Sequence, residues 1–400
     1  MAEARNPYRT APGSTPPELA GRGEALGAAH YALEMARYGE PPNPIVFLGL
    51  RGMGKTALLR QIVRDADARA GLSIVVEADR SLRFIDVARR RIDEALERSE
   101  TIPAKLRASL KRLAGALPRV SYELPHDAGA IAIEGRDDPD AEPSDSIENV
   151  LLDLNDRLHE HGRFLTIALD EIQESARLDL LRIVRVVHRT AGTTRPIFFV
   201  GAGLPNAADV LKAARTYTER WAYHRLELLS RFDLASAVDA PARDVGVHWT
   251  EPALDELYAR SHGYPVFVQA YASAAWRHRR GAVIALGDMT AVGIGVQRTL
   301  DESLYDRPFA ALSKIEAAYV LALHRLGAGP HRSDEIAHEL GLESSAAIGS
   351  TRARLIKKDV LFAPTRGLAE FRIPLTSSYI ERHRAQLEKR ANLGSGRGRR

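Results

Sequence analysis

The sequence predicts an α/β protein with three parts: a parallel sheet covered by helices on both faces, a mostly helical region, and a small domain of three helices and two strands. Up to about residue 215, short apolar runs alternate with amphipathic helical stretches, as in a parallel sheet buried on both faces. Strand signals fade from about Thr216. From about Pro308, three helical stretches precede two short strand candidates.

Four apolar runs are the predicted core strands, because each is strand-sized and bounded by turn residues or helical stretches. They are Ile45–Leu48, Ser73–Ala78, Phe164–Leu169 and Ile197–Val200. The predicted helices around them are Glu24–Arg37, Lys55–Ala70, Ser81–Arg98, Ile147–Gly162 and Leu178–Arg189. Residues 100–150 are less regular and predict a helix over Lys105–Leu117, a hairpin of Val120–Leu124 with Ala130–Glu134, and an exposed loop over Gly135–Ser146.

The second half of the chain predicts two further domains. Helical stretches at Leu234–Ala240, Glu251–Ser261, Val266–Arg280 and Asp288–Leu304 suggest a helical lid. Helices at Phe309–Leu326, Ser333–Leu340 and Ser344–Lys358, then strands at Val360–Ala363 and Glu370–Ile373, predict a winged helix-turn-helix. The predicted regions are a flexible or surface-laid arm (1–20), a P-loop core (21–215), the lid (216–305), the winged helix (306–384) and a basic tail (385–400).

Composition excludes several classes of protein. Apolar residues make up 45% of the chain and charged residues 27%, which is ordinary for a globular protein. No apolar run approaches a membrane span, so no membrane partner is expected. The polar, Pro-rich start is not a signal peptide. The absence of cysteine excludes disulfides, cysteine-zinc sites and thiol catalysis, and it fits a reducing cytoplasm.

The positive charge is concentrated at the C-terminal end. The formal net charge is +4, yet residues 382–400 contain seven Lys/Arg and one Glu, which leaves the rest near −2. The high isoelectric point therefore reflects a tail and is weak support for nucleic-acid binding by a folded domain.

Gly49 to Thr56 fits the pattern G-x-x-x-x-G-K-[ST] at every fixed position. Its glycines let the backbone curl so that successive amides face phosphate oxygens, and the following helix adds its positive N-terminal end. Lys55 is predicted to reach the β- and γ-phosphates, and the Thr56 hydroxyl to bind Mg²⁺. The alternative is a chance Gly-rich turn, but an apolar strand before and an amphipathic helix after favour the functional interpretation. The predicted nucleotide contacts here are Gly49, Leu50, Arg51, Gly52, Met53, Gly54, Lys55, Thr56 and Ala57.

The strand Phe164–Leu169 is followed by Asp170 and Glu171, which is a Walker B arrangement. Asp170 is the predicted Mg²⁺ ligand, acting through water, and Glu171 the group that orients and polarises the attacking water. The alternative is an acidic strand end that merely caps the next helix. Pairing with the phosphate loop favours a site for ATP or ADP with Mg²⁺.

In this order, the phosphate loop, the Asp-Glu strand, the helical lid and the winged helix resemble the AAA+ ATPases, in the branch of ORC-like initiators, archaeal-type ATPases and STAND regulators. Arg22, in Pro16–Arg22, matches the Gly-Arg box that lies beside adenine in this branch. Asp170 to Gln173 matches its Walker B segment. Pro265, in Gly263-Tyr264-Pro265, matches the lid G-x-P element that packs near the base.

The chain departs from the family pattern at three points. After Ile197–Val200 the family places a polar sensor, but here the first candidate is Asn206. The acidic residue expected after Gly21-Arg22 is replaced by Gly23 and then Glu24, and the lid has no convincing sensor arginine. The resemblance implies a transition-state arginine from a neighbouring subunit, for which Arg220 and Arg215 are candidates; a surface arginine on a solvated helix is the alternative.

The winged-helix interpretation places basic residues where duplex DNA would be contacted. The candidates are Arg352, Arg354, Lys357 and Lys358 on the third helix, with Arg366 in the wing. Residues 301–381 contain ten Lys/Arg and eleven Asp/Glu, so protein contact or a structural role stays open. We expect an ATP-hydrolysing protein that couples nucleotide state to a winged helix contacting DNA or a DNA-bound partner. The alternative is a STAND-like switch with slow turnover that signals through homo-oligomer or protein assembly.

Overall fold

In this computed structural model, the described residues are 5–11, 14–79, 84–117, 119–120, 133–134, 143–365 and 367–391 of the 400. The chain divides into two compact units. The sheet unit is Arg22–Gly49 with Lys55–Leu226, and the helical unit is Met1–Gly21 with Leu50–Gly54 and Glu227–Arg400.

The sheet unit alternates strands and helices as the sequence predicts. In chain order its elements are α1 (Gly23–Arg37), β1 (Ile45–Leu48), α2 (Lys55–Ala68), β2 (Gly71–Glu77), α3 (Phe84–Arg98), α4 (Ala104–Ala114), β3 (Arg119–Val120), β4 (Ile133–Glu134), α5 (Pro143–His159), β5 (Phe164–Asp170), a 3₁₀ turn (Ile172–Glu174), α6 (Arg177–Thr190), β6 (Phe198–Gly203), α7 (Ala207–Ala214), a second 3₁₀ turn (Thr216–Arg220) and β7 (Ala222–Arg225). The predicted hairpin is confirmed where β3 pairs antiparallel with β4, and the rest of it lies outside the described residues.

Five of these strands form one parallel sheet in the order β2-β5-β6-β1-β7. Alternate strand residues face opposite sides, since successive side chains in a strand point to opposite faces. Val46 and Leu48 belong to a buried cluster with α3 to α7, whereas the buried Phe47 lies outside that cluster. Helix α2 contacts β2, β5 and β6 without contributing to that cluster, so the sheet is covered on both faces.

Strand β7 was missed by the sequence reasoning, in which strand signals end before it. Its four residues Ala222–Arg225 are half-buried or exposed, and it hydrogen-bonds β1 on one side only. An edge strand of this kind needs no apolar run, and therefore it leaves no hydrophobic signal in the sequence. The predicted core, 21–215, ends before this strand.

The helical unit contains the remaining elements. They are α8 (Arg231–Arg243), β8 (His248–Trp249), α9 (Glu251–Ser261), α10 (Pro265–His278), β9 (Val283–Ile284), α11 (Leu286–Asp301), a π-helical turn (Glu302–Asp306), α12 (Arg307–Ala310), α13 (Lys314–Leu326), β10 (His331–Arg332), α14 (Ser333–Glu339), a 3₁₀ turn (Ser345–Ile348), α15 (Gly349–Lys357), β11 (Leu361–Phe362), β12 (Leu368–Phe371), α16 (Thr376–Arg382) and α17 (Arg384–Arg390).

Some of the helices predicted for this unit are divided in the structure. The stretch 309–326 is interrupted before Ser313, which caps α13 by accepting a hydrogen bond from the Glu316 amide while Glu316 accepts one from the Ser313 amide. This reciprocal capping box starts a new helix and thereby ends the previous one. The stretch 344–358 begins as a 3₁₀ turn and becomes α-helical only at Gly349.

The two C-terminal strand candidates pair antiparallel as predicted, β11 with β12. A third strand, β10, joins them in the order β10-β12-β11. Sequence reasoning missed β10 because it is only two residues long, His331–Arg332, and neither side chain is buried.

The described part of the N-terminal arm is docked on helices of the helical unit. Tyr8 is 4% exposed; its hydroxyl donates to the Val238 carbonyl at 2.7 Å and accepts from the Trp249 indole N–H at 2.7 Å. The Asn6 amide donates to the Ser273 hydroxyl oxygen at 3.0 Å. Of the two alternatives for this arm, these contacts fit a segment laid on the surface. We call residues 5–9 the strap.

Candidate nucleotide and metal site

The phosphate-loop segment connects β1 to α2, where the pattern requires a turn between strand and helix. Gly52 and Gly54 have φ angles of 77° and 86°. Residues with a Cβ seldom adopt this left-handed region, so Gly52 and Gly54 supply the curl of the loop, and Gly54 is also a fixed glycine of the motif. Gly49 and Lys55–Thr56 belong to the sheet unit, and Leu50–Gly54 to the helical unit.

In the sheet unit, Thr56 and Asp170 meet directly. The Thr56 hydroxyl donates to Asp170 Oδ2 at 2.6 Å, although the two residues are 114 positions apart. Asp170 is the last residue of β5, and Thr56 lies in the first turn of α2. The Lys55 ammonium is buried and donates to the Gly49 carbonyl at 3.0 Å. Three predicted side chains therefore lie together at the carboxyl ends of β1 and β5.

Burial of the Asp170 side chain disfavours its charged form. Burial raises the pKa of its carboxyl, the hydrogen bond from Thr56 lowers it, and the neighbouring Glu171 raises it again. The net pKa is above its ordinary value, with burial as the largest cause. A cation beside the Thr56 and Asp170 oxygens would favour the charged carboxylate.

Mg²⁺ fits this pair of oxygens. Magnesium usually keeps several waters and takes only one or two protein ligands besides phosphate oxygens. The described residues contain no cluster of three or more His, Cys, Asp or Glu suited to a metal. Such a cluster is not needed for a magnesium ion held partly by a nucleotide.

Glu171 occupies an unusual backbone conformation for its residue type, with φ 51° and ψ 45°. This left-handed residue turns the chain sharply from β5 into the 3₁₀ turn, at a cost of roughly 1–2 kcal/mol. Its amide donates to Asp170 Oδ1 at 2.9 Å, and its Oε2 accepts from the Gln173 amide at 2.5 Å. No sequence pattern indicates this contact, and from the sequence Gln173 is only part of the family segment.

In the helical unit, the middle of the phosphate loop is held by C-terminal residues. The hydroxyl of Tyr264 donates to the Arg51 carbonyl at 2.9 Å, and Tyr264 is fully buried. The Arg51 amide donates to the Arg372 carbonyl at 3.4 Å. A Cβ on Gly52 would lie 2.3 Å from the Tyr264 hydroxyl oxygen. Gly52 is thus required by this close approach as well as by its φ.

The other predicted nucleotide residues take varied positions. Arg22 is 7% exposed and precedes α1, and its carbonyl accepts from the Leu26 amide at 2.9 Å. Met53 and Ala57 are buried. Pro265 begins α10 and is half-buried. Their contacts with a nucleotide remain predictions, as does the role of Leu50.

Arg220 is exposed at the end of the second 3₁₀ turn, and Arg215 is half-buried at its start. The part of the chain that the structure describes shows no ion pair for Arg220. Asn206, the sensor candidate, is half-buried at the start of α7. The proposed roles of these three side chains remain predictions.

Three of the candidate DNA-contacting residues are engaged within the protein. Arg354 and Lys358 both pair with Glu316, at 3.3 and 2.6 Å, and Glu316 is 1% exposed. The guanidinium of Arg352 donates to the Leu368 carbonyl. Lys357 is exposed. Arg366 lies outside the described residues.

The Glu316 carboxylate is held in its charged form. Burial by itself raises the pKa of this group, but hydrogen bonds from the Lys358 ammonium and from the Ser313 amide and hydroxyl outweigh it and bring the pKa to about 2. The candidate basic face of α15 is therefore partly neutralised by an internal carboxylate.

The fold and the site define a nucleotide-binding P-loop protein, and comparison with known families identifies the domain. Residues 18–200 match the sequence model of the AAA ATPase domain. Residues 302–380 match a domain of unknown function, DUF8462. With the match over residues 18–200, the protein is an ATPase. No curated protein matches the sequence.

Several solved structures are similar over nearly the whole chain. Cdc6p from Pyrobaculum aerophilum is 14% identical, with 95% of this chain and 97% of that chain covered and a TM-score of 0.43. The Aeropyrum pernix ORC1 protein, solved in complex with DNA, is 17% identical, with coverages of 94% and 95% and a TM-score of 0.45. The Thermotoga maritima RuvB Holliday junction branch migration motor is 14% identical, with coverages of 90% and 95% and a TM-score of 0.43.

None of the helices in the described residues is long and apolar enough to cross a membrane.

Proposed function

We propose that the protein hydrolyses ATP with Mg²⁺, with Thr56 and Asp170 holding the metal and Glu171 orienting the attacking water. The observation that carries this proposal is the 2.6 Å contact between the Thr56 hydroxyl and Asp170 Oδ2. It joins the two halves of the predicted site, which are far apart in sequence. A Gly-rich turn that occurs by chance would not be expected to bring its threonine into contact with the carboxylate at the end of β5.

Each side chain has a chemical task in this proposal. Mg²⁺, when bound, neutralises charge on the β- and γ-phosphates. On nucleotide binding, the Lys55 ammonium would break its hydrogen bond to the Gly49 carbonyl and bind phosphate oxygens instead. The backbone amides of the glycine-rich loop would donate to the same phosphates. Glu171 accepts a hydrogen bond from water and so aligns it for attack on the γ-phosphorus. Arg220, from a neighbouring copy of the chain, would neutralise charge in the transition state.

We further propose that residues 216–305 act as a lid and residues 306–384 as a winged helix that responds to the nucleotide. Support comes from the middle of the phosphate loop, where Tyr264 and Arg372 hydrogen-bond the backbone of Arg51. A phosphate that draws the loop amides inward would compete with these contacts. The loop would thus report nucleotide binding to residues of both proposed domains, as in other nucleotide switches.

The leading target of the winged helix is duplex DNA or a DNA-bound partner, as in an ORC-like ATPase. Lys357 is exposed for such contact, and Arg354 is about half-exposed. The second candidate is a STAND-like switch that turns over slowly and assembles with protein. It is favoured by Glu316, whose buried carboxylate already pairs with Arg354 and Lys358.

The test is ATP hydrolysis by the wild type and by Glu171→Gln, in single-turnover and steady-state measurements, with and without duplex DNA. The amide cannot accept a proton from water as a carboxylate can, so hydrolysis should fall about 10²- to 10⁴-fold while nucleotide affinity is retained. Equal rates in the two proteins would refute the role of Glu171.

Turnover that rises with DNA would favour the DNA-linked ATPase. Tight nucleotide binding with negligible turnover would favour the STAND-like switch. A salt series distinguishes them further, because phosphate contacts weaken steeply with salt. Absence of duplex binding even at low salt would exclude the DNA target. Mass measurement with and without ATP would test assembly, and a monomer in both states would exclude an Arg220 supplied by a neighbour.

A further inference from the structure

Gln173 links Glu171 to the end of strand β6. Its side chain is 7% exposed and lies in the 3₁₀ turn that follows β5. The amide oxygen accepts from the backbone N–H of Leu204 at 2.9 Å. The amide nitrogen donates to Glu171 Oε2 at 2.5 Å. One side chain therefore bridges the carboxylate to the residue that follows β6.

An amide side chain satisfies both partners. A backbone N–H can only donate, so the atom facing Leu204 must accept. The ionised Glu171 carboxylate can only accept, so the atom facing it must donate. Glutamine offers one of each at the end of a long side chain, whereas glutamate would satisfy Leu204 but oppose Glu171.

The same peptide unit that binds Gln173 also binds the phosphate loop. The peptide bond between Gly203 and Leu204 offers its N–H to Gln173, and its carbonyl accepts from the Gly49 amide at 3.1 Å. Gly49 is the first residue of the loop. A continuous hydrogen-bonded path therefore runs from Gly49 through this peptide and Gln173 to the Glu171 carboxylate, entirely within the sheet unit.

Two glycines in β6 leave room for the 3₁₀ turn that contains Gln173. A Cβ on Gly201 would lie 2.6 Å from Ile172 Cδ1, and one on Gly203 would lie 2.8 Å from the Gln173 amide oxygen. Two residues apart on one strand, both glycines face the same side. The absence of side chains there lets the 3₁₀ turn approach closely enough for Gln173 to reach the backbone.

We propose that Gln173 is a positioning residue that orients the Glu171 carboxylate and couples its orientation to the phosphate loop through the Gly203–Leu204 peptide. This inference rests on the proposed role of Glu171 in hydrolysis. A displacement of Gly49 by bound phosphate moves its peptide partner, and Gln173 transmits that movement to Glu171.

The experiment compares Gln173→Glu, Gln173→Ala and the wild type in steady-state and single-turnover ATP hydrolysis. Gln173→Glu has the same size and keeps the acceptor for Leu204, but it replaces the donor to Glu171 with a like charge. Gln173→Ala removes both contacts. Gln386→Glu makes the same chemical change at an exposed residue of α17, in the helical unit. ADP affinity and thermal unfolding report whether each variant folds and binds nucleotide.

We expect kcat to fall about ten- to a hundredfold in both Gln173 variants, the loss that follows from removing a hydrogen bond to a charged group. KM and ADP affinity should stay within about twofold, because Gln173 acts on Glu171 and not on the phosphates. Gln386→Glu should behave as the wild type. A wild-type kcat in Gln173→Glu overturns the proposal.

A double variant separates positioning from general support of the fold. In a Glu171→Gln background, Gln173→Glu should cause no further loss, because its partner carboxylate is already gone. An equal loss in both backgrounds would mean a structural role and would overturn the proposal. If Glu171→Gln itself leaves hydrolysis unchanged, the proposed role of Glu171 fails, and that result is read from the single variant alone.

Discussion

The substitution Gly52→Ala tests the close packing of Tyr264 against the phosphate loop in the helical unit. The φ angle of 77° there is costly for any residue with a Cβ, by about 1–2 kcal/mol. The added Cβ would also lie 2.3 Å from the Tyr264 hydroxyl oxygen and 2.8 Å from its Cζ. Tyr264 is fully buried, so its ring has little room to move.

The matched control is Gly54→Ala in the same loop. Gly54 has a similar φ of 86°, but a Cβ there meets nothing within 4 Å. The control therefore carries the backbone cost alone. Overpacking of a buried contact adds about 1–3 kcal/mol, so Gly52→Ala should cost about 2–5 kcal/mol in total.

Thermal unfolding without nucleotide measures this difference independently of ATP binding. We expect Gly52→Ala to unfold at a lower temperature than Gly54→Ala, which in turn lies below the wild type. Adding Tyr264→Phe to Gly52→Ala removes the nearest atom but leaves ring carbons at 2.8 and 2.9 Å, so recovery should be partial. Equal unfolding temperatures for the two alanine variants would refute the close approach of Tyr264.

Two further predictions concern the helical unit. The pKa of Glu316 in the folded protein is lowered to about 2. The charged carboxylate therefore contributes its full stability at pH values above its unfolded-state pKa, and this contribution is lost as the pH falls through about 2. The difference in unfolding temperature between the wild type and Glu316→Gln should therefore be largest above about pH 5 and shrink toward pH 2; a difference that grows on acidification contradicts the ion pairs. Tyr8→Phe should destabilise by about 1–3 kcal/mol, because it leaves the Trp249 indole N–H and the Val238 carbonyl unpaired. Denaturant unfolding measures it against Tyr31→Phe, which is 70% exposed and should be silent, and equal stabilities would argue against a docked strap.

Much of the sheet unit could be predicted because its signals are local. The strand Ile45–Leu48 appears at its predicted residues, and Gly54, a fixed glycine of the phosphate-loop motif, has a positive φ angle that suits the turn. The predicted convergence of Thr56 and Asp170 is also seen, since parallel strands place their carboxyl ends at one edge. A continuous apolar run and a complete motif are both properties of neighbouring residues.

The missed features depend on partners distant in sequence. From the sequence, Arg352, Arg354, Lys357 and Lys358 are candidates for DNA contact, but Glu316, 38 positions from Arg354, pairs with Arg354 and Lys358. Gln173 accepts a hydrogen bond from the Leu204 backbone amide, and a backbone amide has no sequence signature. Edge strand β7 had neither an apolar run nor two partners. Local patterns identify elements and motifs, whereas charge pairing across a fold is decided only by packing.

The strap has a consequence for how the protein is made. Tyr8 is bonded to Val238 and Asn6 to Ser273, separations of 230 and 267 residues. The strap residues therefore leave the ribosome long before their partners are synthesised. At translation rates of about 5–20 residues per second, this delay is roughly ten seconds to a minute. During that time helix α10 is not yet made, so the strap can dock only after Ser273 has been synthesised.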